Sequence, residues 1–182
     1  MEVIKTFKST DWSGGKTTEM FIYPEACIYS DRNFDFRISS ATIEVESSNF
    51  TPLEGYNRLL TIIDGEIELT INNSTQVTLK LDEPFWFSGK DEVISRGRVR
   101  DFNVIFSTDY KVNWQVLDSG KISKSAFDFR FFYIVKGALL LNGNTIKEGE
   151  LVKFDRLNWE SEIELYFDIN SRIYKIDIEL KR

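Results

Sequence analysis

The sequence predicts an all-β protein, built as two stacked jelly-roll-like β-barrels in one chain. Three observations carry that expectation. Short runs of alternating apolar and polar residues recur along the chain, bounded by turn residues. No segment shows a long amphipathic helical period. A weak internal repeat relates the two halves.

The elements follow in order. Thr18 to Tyr23 (TEMFIY) reads as strand. Phe34 to Glu46 (FDFRISSATIEVE) and Leu59 to Ile71 (LLTIIDGEIELTI) alternate clearly. Val77 to Leu81, Phe85 to Phe87, Phe102 to Phe106 and Val112 to Leu117 follow. Later runs are Phe127 to Val135, Ala138 to Leu141, Leu151 to Phe154, Ile163 to Ile169 and Ile173 to Leu180. Val, Ile, Thr and aromatic residues dominate them, which suits a pleated, half-buried surface. Asp64-Gly65, Asn72-Asn73, Asn142-Gly143 and Glu148-Gly149 supply turns between them.

The repeat lays Leu60–Leu69 over Phe132–Leu141, with Gly65 on Gly137. Both copies continue into an Asn-containing turn and another strand. Strand, Gly turn, strand, Asn turn and strand make half a jelly roll, so two copies suggest two barrels. The expected division is residues 1–108 and 109–182, closely packed and with room for exchanged strands. The polar run Asp118-Ser119-Gly120-Lys121 lies near the boundary.

Composition narrows the function. At 182 residues the chain can bury a core without disulfide staples. An aromatic share of 14% and a hydrophobic share of 42% exclude disorder, collagen and coiled coil. The net charge of −6 argues against nonspecific nucleic-acid or anionic-membrane binding. One cysteine, Cys27, leaves no internal disulfide and favours a reducing compartment. The start, MEVIKTFKST, lacks a signal-peptide core, and charges interrupt every apolar stretch. The expected location is cytoplasmic. There is no histidine, so Ser-His-Asp and Cys-His catalysis and histidine-bound metals are excluded. No cofactor and no metal are expected.

Several tempting signals fail. Gly15-Lys16-Thr17 looks like the end of a phosphate loop, but Thr10 stands where that motif needs glycine, and a strand follows instead of a helix. Arg96, Arg98 and Arg100 form a small basic spot without a wider field. Adjacent carboxylates such as Asp82-Glu83 and Asp91-Glu92 point to opposite faces of a strand. Cys27 has no nearby base in sequence and reads as structural.

Four clusters are unusual. They are Trp12-Ser13-Gly14-Gly15-Lys16-Thr17-Thr18-Glu19, then Phe36 to Ala41 (FRISSA), then Asn57-Arg58-Leu59, and Arg100 to Val104 (RDFNV). With Phe87 and Gly89, these clusters in this order resemble the HutD/Ves family of bacterial bicupin proteins. The resemblance covers residues 1–106. Two departures stand out. Lys16 follows only two glycines where the family has a longer glycine run. Asn57 replaces an Asp that commonly precedes the arginine matched by Arg58, which removes one carboxylate. The resemblance implies a metal-free pair of cupin barrels. It also implies a small-ligand-binding, regulatory role in histidine utilisation for one member group, and a link to cold stress for another. It brings no enzymatic activity.

The residues have their own chemistry. On a regular strand Arg37 and Ser39 share a face opposite Phe36 and Ile38. Either Arg37 points to solvent, with a bulge near Ser40, or it lines a polar interior. An interior arginine needs a carboxylate partner, for which Glu19 and Asp101 are available, or an anionic ligand. Arg37 and Arg58 together suit a carboxylate, which the guanidinium fork grips with two hydrogen bonds. Thr17, Thr18, Ser39 and Asn103 could add neutral hydrogen bonds, with Trp12 and Phe87 as an apolar wall. The candidate ligand site is therefore Trp12, Thr17, Thr18, Glu19, Arg37, Ser39, Arg58, Phe87, Asp101 and Asn103.

Three functions are compared. The first is a non-catalytic protein binding a small anionic metabolite. The second is a metal-independent isomerase or lyase using Glu19 or Asp101 as acid and base. The third is an interaction module or homodimer using the aromatic-rich C-terminal half.

Overall fold

The structure is a computed structural model that describes residues 1–117, 127–156 and 165–182. Eighteen strands are described: β1 (Glu2–Ile4), β2 (Lys8–Trp12), β3 (Gly15–Tyr23), β4 (Phe36–Ile43), β5 (Ser47–Asn49), β6 (Tyr56–Asp64), β7 (Ile67–Ile71), β8 (Thr75–Leu79), β9 (Phe85–Ser88), β10 (Val93–Arg96), β11 (Val99–Ser107), β12 (Tyr110–Val116), β13 (Phe129–Lys136), β14 (Ala138–Leu141), β15 (Asn144–Lys147), β16 (Leu151–Asp155), β17 (Leu165–Tyr166) and β18 (Arg172–Leu180). A single 3-10 turn lies at Tyr29–Asp31. No described helix is long and apolar enough to cross a membrane.

The chain divides into two units. One is Phe7–Thr108. The other is Asp109–Arg182 together with Met1–Thr6. The first six residues thus leave the N-terminal half to which sequence alone assigned them. The reason is backbone pairing: β1 runs antiparallel to β16, with Val3 opposite Val152. The run from Asp118 to Lys121 lies outside the described residues.

In the Phe7–Thr108 unit, one antiparallel sheet has the order β2-β3-β4-β11-β6-β9 and a smaller one β5-β10-β7-β8. Leu60, Ile62, Ile67, Leu69, Leu79, Val93 and Val99 pack with Phe87 into a buried cluster. Each such side chain contributes roughly 1.5–3 kcal/mol by leaving water. A second cluster joins Ile22, Phe34, Leu53, Tyr56 and Ile105. Two register shifts interrupt the large sheet, one on β3 between Glu19 and Phe21, the other between Arg100 and Asp101 on β11. Strand β4 pairs with β11 in a single register from Phe36 to Ile43.

The other unit has sheets ordered β1-β16-β13-β18-β12 and β15-β14-β17. Phe132, Ile134, Leu139, Leu141, Val152 and Ile173 are in its core. The repeated segments have matching backbones. Gly65 and Gly137 both turn with positive φ, at 89° and 82°. Asn72 and Asn142 follow at 50° and 49°. These left-handed positions favour Gly and Asn, which is why the two hairpins share those residues.

Candidate ligand-binding cavity

The large sheet of the Phe7–Thr108 unit lines a cavity of about 510 Å³. Alternation decides which side chains reach it. Strand β4 contributes Arg37, Ser39, Ala41 and Ile43, and β11 contributes Asp101, Asn103 and Ile105. Strand β3 contributes Thr17 and Glu19, and the edge strand β2 adds Lys8, Thr10 and Trp12. The unbroken register of β4 settles the orientation of Arg37. It faces inward and is only 8% exposed.

Register also brings the two arginines together. Ile105 lies opposite Arg37 on β4 and opposite Arg58 on β6. The guanidinium of Arg37 donates from Nε to Glu19 Oε2 at 2.6 Å and from Nη1 to Ser39 Oγ at 3.3 Å. It also stacks on the Tyr29 ring, 4.3 Å from the ring centre. Arg58 differs. It is 4% exposed and donates from Nη2 to the Thr51 carbonyl at 2.5 Å. Among the described residues it has no carboxylate within ion-pair distance. Burial pulls its pKa down, while Tyr29 and the charge of Asp101 pull the other way.

Asp101 is 3% exposed. Its Oδ1 accepts the Ala41 N–H at 2.8 Å, and its backbone carbonyl accepts the Ser40 hydroxyl at 2.6 Å. Burial raises its carboxyl pKa to about 7, against the Ala41 N–H and the charges of Arg58, Arg37 and Arg100, which lower it. Asn103 also lines the cavity, and its Oδ1 is buried without a hydrogen-bond partner.

Eight of the ten expected positions therefore line one cavity: Trp12, Thr17, Glu19, Arg37, Ser39, Arg58, Asp101 and Asn103. Two expectations need correction. Thr18 lies on the opposite face of β3 from Thr17 and Glu19, and its hydroxyl meets Ser9 Oγ at 3.0 Å. Phe87 is core: it packs edge-on to Phe50, with ring centres 5.9 Å apart, and Phe50 is the ring that reaches the cavity. Asn57 is absent from the cavity wall, since it neighbours Arg58 in β6 and points the other way. A carboxylate at position 57 would likewise lie off the cavity wall.

Sequence reasoning missed Lys8, Thr10, Tyr29, Phe50 and Thr51. The first two were reachable by extending the hairpin backward from Gly14-Gly15, since Thr10 pairs with Thr17 and Lys8 with Glu19. Tyr29 sits in an irregular segment with no period to read. Cys27 also lines the cavity.

The sequence matches the HutD family model over residues 4–174. The chain belongs to the HutD family. An uncharacterised 21.2 kDa protein in the hutC 3′ region of Pseudomonas putida is 33% identical over 90 residues, which is 47% of each chain. Protein Ves of Escherichia fergusonii is 34% identical over 96 residues, 50% of this chain and 48% of Ves. The matched stretch spans about half the length of these two curated relatives. The structure of HutD from Pseudomonas fluorescens SBW25, solved in a formate condition, superposes with a TM-score of 0.83. It is 26% identical, covering 100% of this chain and 99% of that one. More distant solved structures share the cupin-like fold and nothing further. Among the described residues the chain is thus almost entirely β and cupin-like, with the cavity in the Phe7–Thr108 unit.

Proposed function

We propose that this HutD-family chain is a non-catalytic binding or regulatory protein whose N-terminal cavity holds a small carboxylate metabolite. The observation that carries this reading is Arg58. A buried guanidinium without an ion-pair partner is costly, and a carboxylate ligand would relieve that cost. Arg37 stands across Ile105 from it, so the two forks can grip one anion. Tyr29 and Glu19 hold Arg37 in place for that task. The same reading takes each unit as one jelly-roll barrel of a bicupin, supported by the matched turns at Gly65 and Gly137.

A thermal-shift screen against small carboxylic acids, histidine-degradation intermediates included, tests the proposal. A ligand at a hundredfold excess over Kd stabilises the folded state by about 2.7 kcal/mol. The expected result is a clear rise in Tm for one chemical class, lost in Arg58→Met and Arg37→Ala. A rise that survives both substitutions would refute the site.

A second reading is favoured by one observation, the raised pKa of buried Asp101. A carboxyl titrating near neutrality can act as general acid or base. It would make the chain a metal-independent isomerase or lyase. Incubating the bound acid with protein in deuterated water and following carbon-bound exchange by NMR separates the two. Exchange that disappears in Asp101→Asn supports catalysis; none at all supports binding alone.

A further inference from the structure

The cavity is polarised along β11. Ile105 marks the row that carries Arg37 and Arg58. The next residue on the same face is Asn103, opposite Ser39, and Asp101 follows. Same-face positions on a strand lie about 6.8 Å apart. At the backbone, the row that carries the two arginines is therefore about 7 Å from Asn103 and about 14 Å from Asp101, and the Arg37 guanidinium spans the first step, donating to Ser39 Oγ opposite Asn103.

These acceptors have spare capacity. A carboxylate offers about four acceptor sites. Asp101 fills one, at Oδ1, with the Ala41 N–H. Asn103 Oδ1 is buried with no partner at all. Neither acceptor takes a hydrogen bond from the arginines, whose bonds go to Glu19 and Ser39 from Arg37 and to Thr51 from Arg58. Buried polar atoms in folded proteins are satisfied by protein, water or ligand, and leaving one unmet carries a desolvation penalty.

We infer that Asp101 and Asn103 are specificity-determining residues, which make the cavity select an acid that also carries an N–H or O–H donor. The inference rests on the carboxylate reading above and deepens it. The carboxylate lies on the arginines, and the donor lies on Asn103 and Asp101. The same two residues discriminate against a diacid of equal length, because its second carboxylate meets the Asp101 charge. They discriminate against a plain keto acid, because it leaves both acceptors unmet.

Three matched probes test this by calorimetric titration, buffered well above the point where Asp101 ionises. Glutaramate carries the donor. The isosteric ketone has a methyl group in place of the amide nitrogen, and glutarate has a second carboxylate. The expected result is that glutaramate binds about tenfold more tightly, or better, than either of the others. Asp101→Asn and Asn103→Leu should each bring the amide-to-ketone ratio toward one. Asp101→Asn keeps an oxygen for the Ala41 N–H, so it retains the fold, and a melting curve verifies both variants. Thr18→Val, on the opposite face of β3, should leave the ratio unchanged. Equal affinity for amide and ketone in the unsubstituted protein overturns this inference and leaves the carboxylate reading standing. A ratio that persists in both variants overturns the assignment to these residues. Binding by none of the three overturns the carboxylate reading, and this inference with it.

Discussion

Asp101 carries a desolvation cost that its neighbours only partly offset. Burial pushes its carboxyl from 3.8 to about 7, although the Ala41 N–H, Arg58, Arg37 and Arg100 all favour the charged form. A raised carboxyl pKa means that the folded state holds its proton where the unfolded chain has lost it. Stability is then fully present below 3.8 and declines as pH rises toward 7, by an amount of order 4 kcal/mol. Asp101→Asn removes the ionisable group and keeps an oxygen for Ala41. Urea melts should show the variant stabilised above pH 7 and little changed below pH 4. An equal effect at both extremes would mean that the charge of Asp101 is not what its burial costs. How much of this site is legible in sequence differs by residue. That Arg37 shares a face with Ser39 follows from strand alternation once a strand is recognised. The place of Phe87 does not follow, because facing the interior and reaching the cavity are different things, and Phe50 stands between.

At the scale of elements, the β2–β3 hairpin places Trp12, Thr10 and Lys8 along the cavity. Its turn depends on two glycines for different reasons. Gly14 lies against the Trp12 ring, where an added Cβ would come within 2.1 Å of the indole. Gly15 has φ of 151°, and its Cβ would come within 1.9 Å of the Thr42 carbonyl. Backbone cannot yield there as a flexible side chain can. Gly15→Ala should therefore lower stability by about 2 kcal/mol or more, read from chemical denaturation. A neutral result would show that the hairpin can re-form with another register. Longer strands were readable because they alternate: Phe36–Ile43, Tyr56–Asp64 and Val99–Ser107 all lie within or around expected runs. The three-residue strands β1 and β5 were not readable, and neither was β2. Strand β2 is exposed at every position, so no buried face imposed a period on it.

Across the whole molecule, charge is buried in both units, with opposite consequences. In the unit of Asp109–Arg182, Arg130 is fully buried and holds Asp177 with two hydrogen bonds, Nε to Oδ1 at 2.5 Å and Nη2 to Oδ2 at 2.7 Å. Lys175 Nζ donates to the same Oδ2 at 2.6 Å. Burial alone would raise the Asp177 pKa, but hydrogen bonds from Arg130 and Lys175 outweigh it and hold the carboxyl below its usual range. A lowered carboxyl pKa gives stability that is present at neutral pH and lost as acid protonates the folded protein. Asp177→Ala leaves two cations without their shared carboxylate, and the expected cost is about 3–5 kcal/mol at neutral pH. A melting curve with separate transitions for the two units would place the loss in the unit that carries the substitution. An unchanged curve would show that other groups can carry the neutralisation.

The sequence by itself determined the fold class, because strand periodicity and Gly and Asn turns are local properties written residue by residue. It determined that Arg37 and Ser39 share a face, because alternation is a consequence of the pleat, and left open whether that face meets solvent or the interior. It also determined the absence of histidine chemistry. Tertiary structure decided the rest. Only strand pairing set Arg37 and Arg58 on either side of Ile105, since register between segments twenty and more residues apart is fixed by core packing and not by local pattern. Only packing placed Tyr29 from a short 3-10 turn against Arg37, and only burial turned Asp101 from an ordinary carboxylate into one that titrates near neutrality. Local chemistry fixes what each residue can do, and the long-range contacts of the fold decide which residues do it together.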